Sequence, residues 1–186
     1  CAIYAGCREN PTETDAENCA VPARAFQPDV IVGLGGGSSM DTAKACNFIY
    51  TNGGRMEDYC GYGKASKPML PLVCIPTTSG TGSECQSFAL ISRDSDHRKM
   101  ACGDPKNAAS IAILDPELTL SQPKAVTANT GIDALAHAIE TYVSLKATPY
   151  SRIFAAEAFR LLAMAFPKVL RESDNIAARS AMQLGA

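Results

Sequence analysis

Residues Val30-Ile31-Val32-Gly33-Leu34 form a short, unbroken apolar run rich in β-branched side chains, and glycines follow at once. Such a run suits a parallel strand covered on both faces by other elements. Ser38 to Asn52, closed by Gly53-Gly54, reads as the helix that leaves this strand through a glycine turn. Leu72-Val73-Cys74-Ile75 repeats the strand signal, and Ser110-Ile111-Ala112-Ile113-Leu114 repeats it before Asp115-Pro116. Upstream, Thr12-Glu13-Thr14-Asp15 has the form of a capping box opening a helix that runs to Phe26, before Pro28 breaks the chain. Strands separated by helices predict an α/β domain with a doubly wound parallel sheet.

Beyond Ser121 the strand signal disappears. Lys124 to Val143, Ser151 to Leu170 and Asn175 to Gly185 all carry Ala- and Leu-rich helical patterns. A boundary near residues 116 to 122 therefore divides the chain into an α/β domain, 1–120, and the start of an all-α domain, 121–186. With 17 basic and 19 acidic side chains in 186 residues, no Lys/Arg stripe is available to neutralise a row of phosphates, which argues against a nucleic-acid partner. No apolar stretch approaches the roughly 20 residues that cross a bilayer, so no membrane span is expected. The sequence opens at Cys1 with no basic segment or cleavage site, and we expect it to be a fragment of a longer protein. All eight cysteines fall within the first 102 residues and none form C-x-x-C. That pattern favours reduced thiols in a cytoplasmic protein, with a reactive Cys60 or Cys85 as the alternative.

Two loops invite a ligand. Gly33-Leu34-Gly35-Gly36-Gly37-Ser38 joins a strand to a helix, where backbone N–H groups and the helix dipole favour a phosphate. It is neither G-x-G-x-x-G nor a Walker A loop, and a plain turn in which Ser38 and Asp41 form a second capping box stands beside the phosphate reading. Pro76-Thr77-Thr78-Ser79-Gly80-Thr81-Gly82-Ser83-Glu84 follows the next strand with hydroxyls and exposed amides. Ligands of open α/β sheets bind at such strand ends.

In the helical half, Asp133 and His137 stand four apart and share one helix face. A carboxylate and an imidazole so placed suit Fe(II) or Zn(II), although the same spacing also serves an ordinary hydrogen bond. The other histidine, His97, sits among Asp94, Asp96, Arg98 and Lys99 in what reads as an exposed loop.

Taken together, Asp29 to Lys44, Pro76 to Glu84 and Asp115 to Ser144 resemble the iron-containing (group III) alcohol dehydrogenase family, in its order and at plausible spacings. The wider superfamily includes glycerol dehydrogenases and dehydroquinate synthases with the same two-domain layout. The Pro76-Thr77-Thr78 motif with Gly131 to His137 looks more like the alcohol dehydrogenase branch. The resemblance implies a nucleotide-binding domain, an all-helical domain and an active site in the cleft between them. It implies that Gly36, Gly37 and Ser38 hold the pyrophosphate of NAD or NADP with Asp41 close behind. Thr77, Thr78 and Thr81 would line the adenosine and phosphate groove, and Lys99 would lie near the cofactor. Asp133 and His137 match the first two of four ligands, one Asp and three His, for Fe(2+) or, alternatively, Zn(2+). The other two histidines are expected beyond the segment Met182 to Ala186, and the turn that separates NAD from NADP ahead of Cys1.

The activity implied is reversible oxidation of a small primary alcohol or diol to its aldehyde, by a homodimer or larger homo-oligomer. A glycerol dehydrogenase, a dehydroquinate synthase-like enzyme, or a cofactor-binding fragment without activity of its own are the alternatives. Gln86 and Phe88 replace the side chains that relatives use at those positions and carry no role here. Tyr150-Ser151-Arg152 lacks the acidic character the resemblance leads one to expect.

Overall fold

The computed structural model describes residues 1–186, in two compact units. The first comprises Cys1–Ile75 with Ser83–Ile113, and the second Pro76–Gly82 with Leu114–Ala186.

In the first unit, helix α1 (Glu13–Phe26) begins where the capping box predicts. The Thr12 hydroxyl accepts the Asp15 N–H, and the Asp15 carboxylate accepts the Thr12 N–H at 3.0 Å. Strand β1 (Ile31–Gly35) leads into α2 (Gly37–Asn52), and then come β2 (Gly61–Tyr62) and β3 (Leu72–Pro76). The predicted third strand shrinks to β6 (Ile111–Ala112), which pairs with β3 in parallel, Val73 opposite Ile111. The sheet order is β1-β3-β6.

A second small sheet, in which β2 pairs with one strand of an antiparallel hairpin, has no counterpart in the sequence reading. Strands β4 (Phe88–Ser92) and β5 (Lys99–Gly103) form an antiparallel pair in which Phe88 faces Gly103 and Ser92 faces Lys99. Ala, Ser, Cys, Lys and Gly carry little strand preference of their own. These strands form because Ala89, Ile91, Met100 and Cys102 pack into one core with Phe48 and Ile49 of α2.

Burial alternates along β1. Alternate residues of a strand face opposite sides of a sheet. Gly33 is buried beneath α2, whereas Val32 and Leu34 are 54% and 58% exposed. Within these 186 residues, α2 covers the Gly33 face of β1. A side chain at Gly33 would come within 3.2 Å of the Ala43 Cβ and the Met40 Cα, so its absence sets how closely α2 lies on the strand. Gly35 then turns the chain at φ +139°, a conformation that glycine alone adopts readily.

The second unit is helical: α3 (Lys124–Val143), α4 (Pro149–Arg171) and α5 (Ile176–Gly185), close to their predicted spans. The hydroxyl of Thr148 caps α4, and the amide oxygen of Asn175 caps α5. Ala134, Ala138 and Ala165 keep side chains short in the core, while Leu162, Val169 and Met182 fill it. Full burial of Leu162 and Val169 contributes about 1.5–3 kcal/mol each. Pro76–Gly82 groups with these helices, although it lies between two stretches of the first unit.

Asp104 anchors the turn after β5. It is fully buried and accepts from the Ala65 N–H and the Lys106 N–H, both at 3.0 Å, and from the Lys106 ammonium at 3.3 Å. Burial acts to raise its pKa, but the Lys106 and Ala65 donors outweigh burial and hold it below the usual aspartate value. A depressed folded-state pKa stabilises above the unfolded value, about 4, and that stabilisation disappears as pH falls through the folded value. Asp104→Ala should cost about 2–4 kcal/mol near neutral pH, because two buried N–H groups lose their acceptor. Urea denaturation should show the deficit shrinking below about pH 4; a midpoint equal to the parent's at pH 7 would contradict this account. Gly35→Ala should cost about 1–3 kcal/mol by the same measurement, since alanine disfavours that φ and its Cβ would lie 2.5 Å from the Ser39 Oγ.

Candidate functional site

The glycine loop ends in a helix start that no side chain satisfies. Gly36 is the N-cap of α2 and offers no capping hydrogen bond. The alternative capping box does not form: Ser38 Oγ accepts from the Asn10 N–H at 3.2 Å, and Asp41 Oδ1 accepts from Ser83 Oγ at 2.8 Å. With 16 residues of helix behind it, this end presents Gly37 and Ser38 N–H groups and the positive end of the macrodipole, the elements of a phosphate cradle.

Behind the cradle lies a polar cluster for which the sequence reading assigned only Asp41 a role. Lys44, one helical turn after Asp41, is fully buried. Its ammonium donates to the Ser83 carbonyl, to Ser83 Oγ at 2.9 Å and to the Phe88 carbonyl at 3.0 Å. Ser83 Oγ thus accepts from Lys44 and donates to Asp41. Burial pulls the Lys44 pKa down, with Asp41 opposing it, and pushes the Asp41 pKa up, with Ser83 and Lys44 opposing it. The i,i+3 spacing of Asp41 and Lys44 was the available signal. Lys99 stands exposed at the start of β5, close enough to Asp41 to favour its charged form. Gln86 is exposed, and the Phe88 ring stacks at 5.7 Å from that of Tyr62.

Thr77, Thr78 and Thr81 are half-buried on the loop that belongs with the helical unit. This loop is held at two places. Gln183 of α5 donates Nε2 to the Pro76 carbonyl at 3.3 Å. Gly80 lies directly on α3, where an added Cβ would stand 2.5 Å from the Thr130 carbonyl oxygen. Thr130 Oγ1 receives Gln122 Nε2 at 3.1 Å. The guanidinium of Arg179, 2% exposed, donates to Gln122 Oε1, to Thr127 Oγ1 and to the Ser173 carbonyl. Neither Arg179 nor Gln183 stands out in the sequence, because α5 reads there only as a helix.

On α3, Thr127, Gly131, Ala134 and Ala138 form the buried stripe, which turns Asp133 and His137 onto the adjoining open face. Asp133 Oδ1 and His137 Nε2 stand 3.6 Å apart, with side chains 49% and 44% exposed. That separation exceeds hydrogen-bond length. Two donors bound to one ion at about 2.1 Å and a tetrahedral angle lie about 3.4 Å apart, so the pair fits two ligands of a single metal. Three or more His, Cys, Asp or Glu side chains converge nowhere in the chain. His97 lies exposed in the turn between β4 and β5 at φ +56°, outside the candidate site, in keeping with its reading as a loop residue.

Comparison with known proteins covers nearly the whole chain. Residues 1–116 match the family described as iron-containing alcohol dehydrogenase, and residues 127–186 match the C-terminal part of the Fe-containing alcohol dehydrogenase family. The chain is 41% identical over 181 residues to an NAD-dependent methanol dehydrogenase of Bacillus methanolicus, covering 97% of this chain and 48% of that protein. Among solved structures it resembles a 1,3-propanediol oxidoreductase at TM-score 0.95 and 34% identity, covering 99% of this chain and 48% of that one. It also resembles a sulfoacetaldehyde reductase from Bifidobacterium kashiwanohense in complex with NAD+, at TM-score 0.91 and 33% identity, covering 100% of this chain and 50% of that one. The chain spans about half the length of the relatives it matches. With both of its parts matched in order, an α/β unit ahead of a helical one, the chain belongs to the iron-containing alcohol dehydrogenase family.

Proposed function

We propose that the full-length protein carrying this chain interconverts a small primary alcohol or diol and its aldehyde, using NAD or NADP at a divalent iron or zinc ion. One observation carries the reading: Asp133 and His137 converge from one helix face at 3.6 Å, a spacing suited to a single ion. Two further ligands are required from elsewhere in the full-length protein. The names of the methanol dehydrogenase and of the NAD+-bound reductase support the choice of a nicotinamide cofactor and a small alcohol or aldehyde.

Bound at such a site, the metal supplies Lewis acidity toward the substrate oxygen, and the nicotinamide supplies the hydride acceptor or donor. The chain's own residues bind and orient. Asp133 would contribute a carboxylate oxygen and His137 an imidazole nitrogen. Gly36, Gly37 and Ser38 offer the open helix start to the cofactor diphosphate, and Asp41 stands behind them. Thr77, Thr78 and Thr81 line the adenosine and phosphate groove, and Lys99 adds positive charge beside the cofactor. No nucleophilic side chain is required.

On this reading residues 1–120 are the nucleotide-binding domain and 121–186 open the metal-binding domain. Eight free thiols support a reducing, cytoplasmic setting. The near-neutral charge supports small molecules rather than nucleic acid as partners, and no helix is long and apolar enough to cross a membrane. We take the working form to be a homodimer or larger homo-oligomer, on the strength of the resemblance.

In the full-length protein, His137→Ala should lower bound iron to a small fraction of the parent's and reduce NAD-linked alcohol oxidation at least about 100-fold. His97→Ala should retain both. Chelation should abolish turnover, with recovery on adding Fe(II) or Zn(II). Metal analysis and NADH absorbance check these outcomes; full activity in His137→Ala would overturn the proposal.

A further inference from the structure

We infer that Arg179 is a positioning residue: through Gln122 and Thr130 it holds the threonine loop, Pro76–Gly82, against the helix that carries Asp133 and His137. The inference rests on the proposed function for the meaning of that loop, and on the geometry for the clamp itself.

A guanidinium 2% exposed with no carboxylate partner is costly to bury unless its donors are satisfied. Arg179 places three of its five N–H donors on three separate stretches of chain. Nε bonds the Ser173 carbonyl at 2.9 Å, at the end of the α4–α5 connection. Nη1 bonds Thr127 Oγ1 on α3 at 3.2 Å and Gln122 Oε1, ahead of α3, at 3.3 Å. Gln122 is an amide whose oxygen is taken by Arg179, so its nitrogen is directed at Thr130 Oγ1, which it meets at 3.1 Å. Thr130 Oγ1 in turn donates to the Val126 carbonyl at 2.9 Å. Thr130 is thus fixed in rotamer, and its backbone is the surface on which Gly80 rests without room for a Cβ. One turn beyond Arg179 on α5, the buried Gln183 bonds the Pro76 carbonyl at the other end of the loop.

The consequence is geometric. Gly80 touches α3 three residues before Asp133 and seven before His137. A loop that contacts the cofactor and a pair that holds the metal are therefore built on one helix, with no mobile element between them. Hydride transfer needs the donor and acceptor carbons held at close, fixed separation. Arg179 acts on that separation without touching either group.

The test uses the full-length protein with Arg179→Met, which keeps length but removes charge and fork, and Arg179→Lys, which keeps charge alone. Gly80→Ala strains the same contact without altering Arg179. Hydrogen exchange across Pro76–Gly82 is read by mass spectrometry, beside iron content and the KM values for NAD and for alcohol. Arg179→Met and Gly80→Ala should each speed exchange in the loop about tenfold. Both should raise the KM for NAD about five- to tenfold with iron content and the KM for alcohol within twofold of the parent. Arg179→Lys should recover part of each effect. Should Arg179→Met fail to fold, Arg179→Lys is read in its place, with loop exchange faster than the parent's expected and the parent rate overturning the clamp. Exchange in the loop at the parent rate overturns the clamp. Faster exchange with an unchanged KM for NAD overturns its link to the cofactor. A parent enzyme that binds iron but no NAD overturns the proposed function instead, and the exchange data still decide whether the clamp exists.

Discussion

Close backbone approach where a side chain is missing is the constraint on which both units depend. In the α/β unit, α2 can lie on β1 only because Gly33 offers no Cβ to Met40 and Ala43. In the helical unit, the threonine loop can lie on α3 only because Gly80 offers no Cβ to the Thr130 carbonyl. In both cases, a glycine in the core of a motif decides where a loop bearing polar groups comes to rest. Loops carry chemistry well when a rigid scaffold positions them.

Two sets of polar groups surround these contacts, apart from buried atoms such as Glu84 Oε2 and Asn107 Oδ1 that no other group satisfies. The first set is buried and held within the fold: Lys44 on Ser83 and Phe88, Asp104 on Ala65 and Lys106, Arg179 on Gln122, Thr127 and Ser173. Those left open are exposed or half-exposed: the start of α2, the hydroxyls of Thr77 and Thr78, and the Asp133–His137 pair. Buried polar groups need partners to avoid a desolvation penalty, whereas open ones keep their capacity for a ligand. The first set holds the second in place.

Much of the architecture was legible along the chain. The capping box of α1, the strands at 31–35 and 72–76, and the three C-terminal helices all follow from local pattern, because caps and periodicity act over a few residues. The small sheet of β2, β4 and β5 was not legible, since Lys99-Met100-Ala101-Cys102-Gly103 has weak strand preference and pairs only because the core behind it accepts Met100 and Cys102.

The same division runs through the candidate site. Spacing alone determined that Asp133 and His137 share a face, because 3.6 residues make a turn wherever a helix forms. Composition at the glycine and threonine motifs determined that those loops could receive phosphates. Only the tertiary structure decided that Asp41 is engaged by Ser83 rather than by a capping box. It alone also joined Pro76–Gly82 to α3 through Gly80 and Thr130, and bound Arg179 to Gln122 across 57 positions of sequence. Such contacts depend on which helix packs on which, and no local pattern encodes a partner so far away in the chain.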